Sequence, residues 1–96
     1  MGFLNLFKRK EEPLSNGERI AHLLSHGRIA DGRIIDTETT PSGDEIVFFV
    51  YTLNGVDFES SELLDEDMKS DPLKYAPGAK VGVRYDPRNQ GNSTLV

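Results

Sequence analysis

The chain has 96 residues and a mass of 10.7 kDa, which is the size of one small domain with a thin core. It contains no cysteine, so disulfides, thiolate metal sites and cysteine nucleophiles are excluded. Lys and Arg total 11 and Asp and Glu total 16, and the resulting net charge of −5 disfavours binding to a phosphate backbone. No apolar run approaches the ~18 residues that a membrane-spanning helix needs.

Charge is unevenly distributed along the chain. Residues 1–10 carry +3, whereas residues 57–71 carry −6. We therefore predict a basic amphipathic strip at residues 1–12, followed by a single small domain at residues 13–96.

The strip combines apolar side chains with a basic end. Its candidates for contact with a membrane surface are Phe3, Leu4, Phe7, Lys8, Arg9 and Lys10. The positive charge follows the apolar part, which is not the order of a secretory signal. Such a strip either binds a membrane interface weakly or docks on its own domain. We expect a cytoplasmic protein, with a peripheral position at the inner membrane as the alternative.

A helix is predicted from Asn16 to His26. Ser15 and Glu18 have the spacing of a capping box, in which each side chain satisfies the other residue's backbone N–H. The apolar stripe consists of Ile20, Leu23 and Leu24. Gly27 is a typical residue just past a helix end.

Strand patterns occupy most of the remaining chain. The predicted strands are Gly32–Glu38, Glu45–Leu53, Val56–Ser60, Ala79–Tyr85 and Ser93–Val96. Asn54-Gly55 is a two-residue hairpin signal, and in the third strand Val56 and Phe58 are expected to face inward. In the segment 61–78, Ser61 is expected to cap a short helix over Glu62–Lys69, and Asp71-Pro72 to begin one further turn.

These elements predict a mainly β (α+β) fold. We expect a small, five-stranded, partly closed β-barrel, OB-like or SH3-like, with an N-terminal helix and a short helical insert between strands 3 and 4. The second strand is apolar on both faces: Val47, Phe49, Tyr51 and Leu53 on one, Ile46, Phe48 and Val50 on the other. One face must meet the core, and the other needs cover from the helix, the N-terminal strip or a second chain.

Three stretches, Gly32–Ile35, Gly55–Phe58 and Tyr75–Asn89, resemble a bacterial family of domains of unknown function numbered 3592. Members tend to show Gly-x-x-Val-x-Val-x-Tyr-Asp-Pro near their end, which Gly78–Pro87 matches here. The resemblance covers about residues 32–96 and implies a small β-domain with no established activity. Family members often carry flanking transmembrane helices, which we do not expect here, and no functional residues carry over.

Few side chains form a pattern that supports catalysis. His22 and His26 have i, i+4 spacing on the predicted helix but lie opposite its apolar stripe, which favours two solvated histidines over a zinc site. The acids at 65–67 do not fit an EF-hand loop. We expect no catalytic residues, no metal site and no cofactor. The alternative is a small metal-dependent enzyme that uses His22, His26 and nearby acids.

The leading hypothesis is a non-enzymatic protein-interaction or accessory module. A purely structural domain remains an alternative. The candidate partner-binding residues are Phe48, Val50, Tyr51, Asp65, Glu66 and Asp67. We expect a protein partner or self-association, with weak membrane-surface contact as a further option. Nucleic acid is not expected, because acids surround Arg33, Arg84 and Arg88.

Overall fold

A computed structural model of the chain describes residues 16–96, in which a helix precedes a five-stranded antiparallel sheet. Its elements are α1 (Asn16–His26), β1 (Arg28–Thr39), β2 (Glu45–Leu53), β3 (Val56–Leu63), α2 (Glu66–Lys69), β4 (Lys80–Asp86) and β5 (Asn89–Leu95). The predicted bounds of α1 and β2 are confirmed. The cap at Ser15 lies outside the described residues, as does the strip at 1–12.

The strands form a nearly closed barrel, as predicted. Their order in the sheet is β3-β2-β1-β4-β5, and β3 also lies against β5. Because β1 pairs with both β2 and β4, the order is OB-like. An SH3-like meander would instead place β4 beside β3.

β1 begins at Arg28, four residues before the predicted start. Its first half, Arg28–Arg33, pairs with β4, and its second half, Gly32–Thr39, pairs with β2. The two pairings overlap at Gly32 and Arg33, and a Cβ added at Gly32 would lie 2.7 Å from Val83 Cγ2. The start of β1 shows no alternation of apolar and polar residues, so the sequence pattern does not predict a strand there. Backbone pairing with β4 makes this segment a strand.

The core lies inside the barrel and follows the predicted alternation of β2. Val47, Phe49 and Tyr51 are almost fully buried, and Val81 and Val83 of β4 meet them from across the barrel, as expected. The remaining buried members of this cluster are Ile34, Tyr75 and Leu95. The sequence reading did not place Tyr75 in the core, because Tyr75 belongs to the insert after β3.

Two strand ends differ from the sequence-based prediction. β3 continues to Leu63, so Ser61 lies within a strand and Asp65 caps α2 by accepting a hydrogen bond from the backbone N of Met68 at 2.8 Å. β5 begins at Asn89 rather than Ser93. Its residues are polar and resemble a loop, but backbone pairing with β4 makes them a strand.

α1 packs on β4 and β5, so it does not supply the cover that the apolar outer side of β2 was expected to need. Leu23 is 1% exposed, Ile20 is half-buried and Leu24 is 42% exposed. Arg19 fastens the helix to β5, because its Nη1 donates to Asn92 Oδ1 and to the Ser93 carbonyl oxygen, each at 2.9 Å.

The predicted Asn54-Gly55 hairpin turn is confirmed, with φ angles of 51° and 82°. We expect Gly55→Ala to lower the free energy of unfolding by about 1 kcal/mol, because a Cβ disfavours the left-handed region. Gly17→Ala makes the same chemical change inside α1, where an added Cβ has nothing within 4 Å. It should raise stability by about 0.5–1 kcal/mol. Chemical denaturation compares the two variants, and a change of the same sign in both would contradict this account.

Candidate interaction surface

The outward side of β2 presents apolar side chains. Val47, Phe49 and Tyr51 point into the barrel, so Ile46, Phe48 and Val50 point out of it. These three side chains are half-buried. Leu63 of β3 pairs directly with Ile46 and is 52% exposed. We call Ile46, Phe48, Val50 and Leu63 the β2 outer face.

Acidic side chains lie beside this face on both neighbouring strands. Cross-strand pairs share one side of a sheet, so the pairing partners of the outward β2 residues also point outward. Glu38 pairs with Ile46, Asp36 with Phe48, and Glu59 with Val50. On β1, the partner of Val50 is the exposed base Arg33, so the acids of β1 flank only Ile46 and Phe48. All three acids are exposed. We call Asp36, Glu38 and Glu59 the acidic rim.

A shallow groove of ≈ 280 Å³ connects the β2 outer face to the start of α1. It is lined by Asn16, Arg19, Ile46, Ser61, Glu62 and Leu63. The first described residue of the chain therefore lies beside the Ile46–Leu63 end of the face.

Glu62 joins the two strands that close the barrel. It pairs with Val47 and so lies on the inward side of β3, where its Oε1 reaches across to β5. That oxygen accepts hydrogen bonds from Thr94 Oγ1 at 2.6 Å and from the backbone N of Leu95 at 3.1 Å. Burial raises the pKa of Glu62, and the two hydrogen bonds and the charge of Arg19 oppose that shift.

Sequence reasoning missed Glu62 because it ended β3 at Ser60 and placed Glu62 in a helix. The signal was present, since Phe58, Ser60 and Glu62 follow the period of two of one strand face. Phe58 packs against the core as predicted. Val56, which the sequence also predicts to face inward, lies at the start of β3 and is 54% exposed.

The six sequence-predicted partner residues do not share one surface. Phe48 and Val50 lie on the β2 outer face, whereas Tyr51 is a correction, because it is 1% exposed and faces the core. Its ring stacks between Phe49, Phe58 and Tyr85, and its hydroxyl donates to the Gln90 carbonyl oxygen. The other three predicted residues, Asp65, Glu66 and Asp67, are exposed at α2.

The acids at α2 serve its short helix. Besides the cap from Asp65, Glu66 lies 3.6 Å from Lys69, and Asp67 accepts from Ser70 through its carbonyl oxygen. Asp65 is also near enough to Glu62 to raise its pKa slightly by charge repulsion. The structure therefore places the charge of Asp65 near Glu62, on the inward side of β3.

The two histidines stack on each other at the surface of α1. The centroids of His22 and His26 lie 4.7 Å apart, and both residues are exposed. Within residues 16–96, no group of three or more His, Asp or Glu side chains is arranged to hold a metal ion. Residues 16–96 therefore supply no third metal ligand beside His22 and His26, which the hypothesis of a metal-dependent enzyme would need.

A second, larger groove of ≈ 1210 Å³ crosses the outward side of β1 and β4 and extends to Val50 of the β2 outer face. Its lining mixes charges, with Arg33 and Lys80 as cross-strand neighbours and Asp31 and Asp57 also present. Arg84 is occupied elsewhere, since its Nη1 donates to the Gly27 carbonyl oxygen at 2.9 Å. Because both basic and acidic side chains line the groove, its charge favours neither an anionic nor a cationic ligand.

Comparisons with known proteins identify a family but no close relative. The family model described as "Domain of unknown function (DUF3592)" matches residues 26–96, a range that includes every strand of the barrel. No curated protein and no solved structure matches the chain. Among the described residues, no helix has the length and apolarity needed to cross a membrane. The chain belongs to the DUF3592 family of domains of unknown function.

Proposed function

We propose that this domain is a non-catalytic docking module whose β2 outer face binds an apolar protein segment that also carries basic residues. The observation that supports the proposal is the register of the sheet. It places Asp36, Glu38 and Glu59 directly beside Ile46, Phe48 and Val50. Burying the apolar row drives association, and the acids select the charge of the partner.

The same charges disfavour a second copy of this domain as the occupant. Two β2 outer faces placed together would bring two acidic rims into contact, on molecules that each carry −5. Like charges across an interface cost several kcal/mol. A partner with Lys or Arg among its apolar residues avoids that cost, so it fits this face better.

Phe48→Ser tests the proposal. The probe is a fluorescent 12-residue peptide that alternates Leu with Lys, compared with a peptide of the same pattern that alternates Leu with Glu. We expect the full chain to bind the Lys peptide at least about tenfold more tightly than the Glu peptide, and Phe48→Ser to weaken Lys-peptide binding about tenfold. Fluorescence anisotropy at low and high salt measures both effects.

Val56→Ser is the matched control, because Val56 is also an exposed apolar strand residue but pairs with Leu53, which belongs to the inward row of β2. It should leave the affinity for the Lys peptide unchanged. Equal affinities for the two peptides, or equal losses in the two variants, would exclude recognition by the β2 outer face.

Two other expectations from the sequence stay predictions. Weak association of the strip at residues 1–12 with an anionic membrane surface is tested by vesicle flotation. A metal-dependent activity at His22 and His26 is tested by metal analysis of untagged protein. A purely structural role would appear as a failure of the Lys peptide to bind.

A further inference from the structure

We infer that the partner of the β2 outer face also carries an acidic residue, and that Arg33 and Lys80 bind its carboxylate where the face continues into the groove over β1 and β4. This inference rests on the proposed function, because it specifies the charge pattern of the same partner. The register between β2, β1 and β4 supports it.

Arg33 and Lys80 form a pair of like charges on the outward side of the barrel. They are cross-strand partners between β1 and β4, and their neighbours in sequence, Ile34 and Val81, are buried in the core. Both bases are exposed. Side chains paired in this way have Cβ atoms about 4.5–5.5 Å apart, and like charges in such a pair destabilise a sheet.

Within residues 16–96, no carboxylate forms an ion pair with either base. Asp31 and Asp57 line the same groove, but neither makes an ion pair with Arg33 or Lys80. Asp57 instead accepts a hydrogen bond from the Thr52 hydroxyl. A carboxylate from another molecule would therefore relieve a repulsion that this part of the chain leaves uncompensated.

The two bases lie at one end of the β2 outer face. Arg33 pairs with Val50 on its other side, and the larger groove reaches from Val50 to Lys80. The guanidinium of Arg33 presents a planar fork of N–H donors that fits the two oxygens of a carboxylate, and the Lys80 ammonium adds a second positive charge beside it. A segment bound on the face can therefore place an acidic side chain between these bases.

The charges of β1 opposite the face have a fixed order. Glu38, Asp36 and Arg33 pair with three successive outward residues of β2. Those outward positions repeat about every 6–7 Å, which is also the repeat of side chains on one side of an extended peptide. A complementary extended segment carries base, base and acid at alternate residues on the side toward β1, with apolar residues on the side toward β2.

Two peptides of identical composition test this order. Each combines six Leu with three Lys and three Glu and is acetylated and amidated, so that its ends carry no charge. In the ordered peptide, Leu alternates first with the three Lys and then with the three Glu. In the mixed peptide, Lys and Glu take turns between the Leu residues. We expect the full chain to bind the ordered peptide at least about fivefold more tightly, measured by fluorescence anisotropy at low salt.

Arg33→Glu tests the carboxylate site. It should weaken binding of the ordered peptide about tenfold and strengthen binding of the Leu-Lys peptide, because a third acid then follows those of β1. Lys80→Glu should also weaken binding of the ordered peptide. It replaces a like-charge pair with an opposite-charge pair, so it should fold at least as stably as the wild type.

Arg88→Glu is the matched control. It makes the same change of charge at an exposed arginine between β4 and β5, away from the residues that line the groove. It should leave the affinities for all three peptides unchanged.

The outcomes separate the inference from the proposed function. Equal affinity for the ordered and mixed peptides, or equal effects of Arg33→Glu and Arg88→Glu, overturns the inference. The proposed function remains in that case if Phe48→Ser still weakens binding of the Leu-Lys peptide. Failure of every peptide to bind overturns both ideas.

Two further results would also overturn the inference. Binding of the ordered peptide that depends on Arg33 but not on Phe48 would make the groove and the β2 outer face separate sites. A wild-type dimer in sedimentation velocity that both Phe48→Ser and Arg33→Glu dissociate would assign the complementary charges to a second copy of this chain.

Discussion

Phe49→Ala is expected to lower the free energy of unfolding by about 3–5 kcal/mol, the cost of removing a fully buried phenyl ring. Phe49 is 0% exposed, and its ring stacks on that of Tyr51, with 6.1 Å between the centroids. A domain of this size has a total stability of roughly 5–14 kcal/mol, so the variant loses a large share of it. Urea denaturation followed by far-ultraviolet circular dichroism measures the change.

Val56→Ala is the control for that measurement, because the sequence pattern alone puts Val56 on an inward face. The structure leaves Val56 54% exposed at the start of β3, so its truncation should lower the free energy of unfolding by less than about 0.5 kcal/mol. Comparable losses of unfolding free energy in the two variants would mean that Val56 is packed in the core rather than exposed at the start of β3.

Glu62→Ala is expected to destabilise the protein through the junction of β3 and β5. It leaves the Thr94 hydroxyl and the Leu95 N–H without their acceptor, at about 1–3 kcal/mol for each buried donor. Glu62→Gln keeps an oxygen acceptor of the same reach and removes the charge. At neutral pH it should therefore be much closer to the wild type, and denaturation of the three proteins under one condition tests the order.

The pH dependence of stability supplies a second test of Glu62. Its pKa is raised in the folded state above the usual 4.5, mainly by burial, so the folded protein binds this proton more tightly than the unfolded chain. Protonation of Glu62 stabilises the folded protein fully when the pH is below the pKa of Glu62 in the unfolded chain. This stabilisation is lost as the pH rises through the pKa of Glu62 in the folded protein. The Gln variant has no such proton.

We therefore expect the wild type to gain stability relative to Glu62→Gln as the pH is lowered from 7 toward 4.5. Subtracting the two denaturation series removes the contribution of the other carboxylates. A flat difference, or one of the opposite slope, would show that the Glu62 side chain is not buried at the junction.

The three β2 residues of the outer face were predictable from the sequence, whereas Leu63 was not, because the pattern predicts a helix over Glu62–Lys69. Strict alternation of β2 decides which side chains point inward, and an apolar residue at every outward position from Ile46 to Val50 marks a surface that needs cover. The acidic rim was not predictable in the same way, because it depends on which residues of β1 and β3 pair with those of β2. A one-residue change of register would move every one of those acids to the other side of the sheet.

Local patterns in the sequence by themselves determined the helix from Asn16 to His26, the whole of β2, the Asn54-Gly55 turn and the inward residues Val81 and Val83. Each depends on contacts between residues near in sequence or on a simple alternation. Tertiary structure alone decided the polar strand β5, the burial of Tyr75, the packing of α1 on β4 and β5, and the bond from Glu62 to β5. These features join residues far apart in the chain, and polar sequences become ordered there only because a distant strand supplies their hydrogen-bond partners.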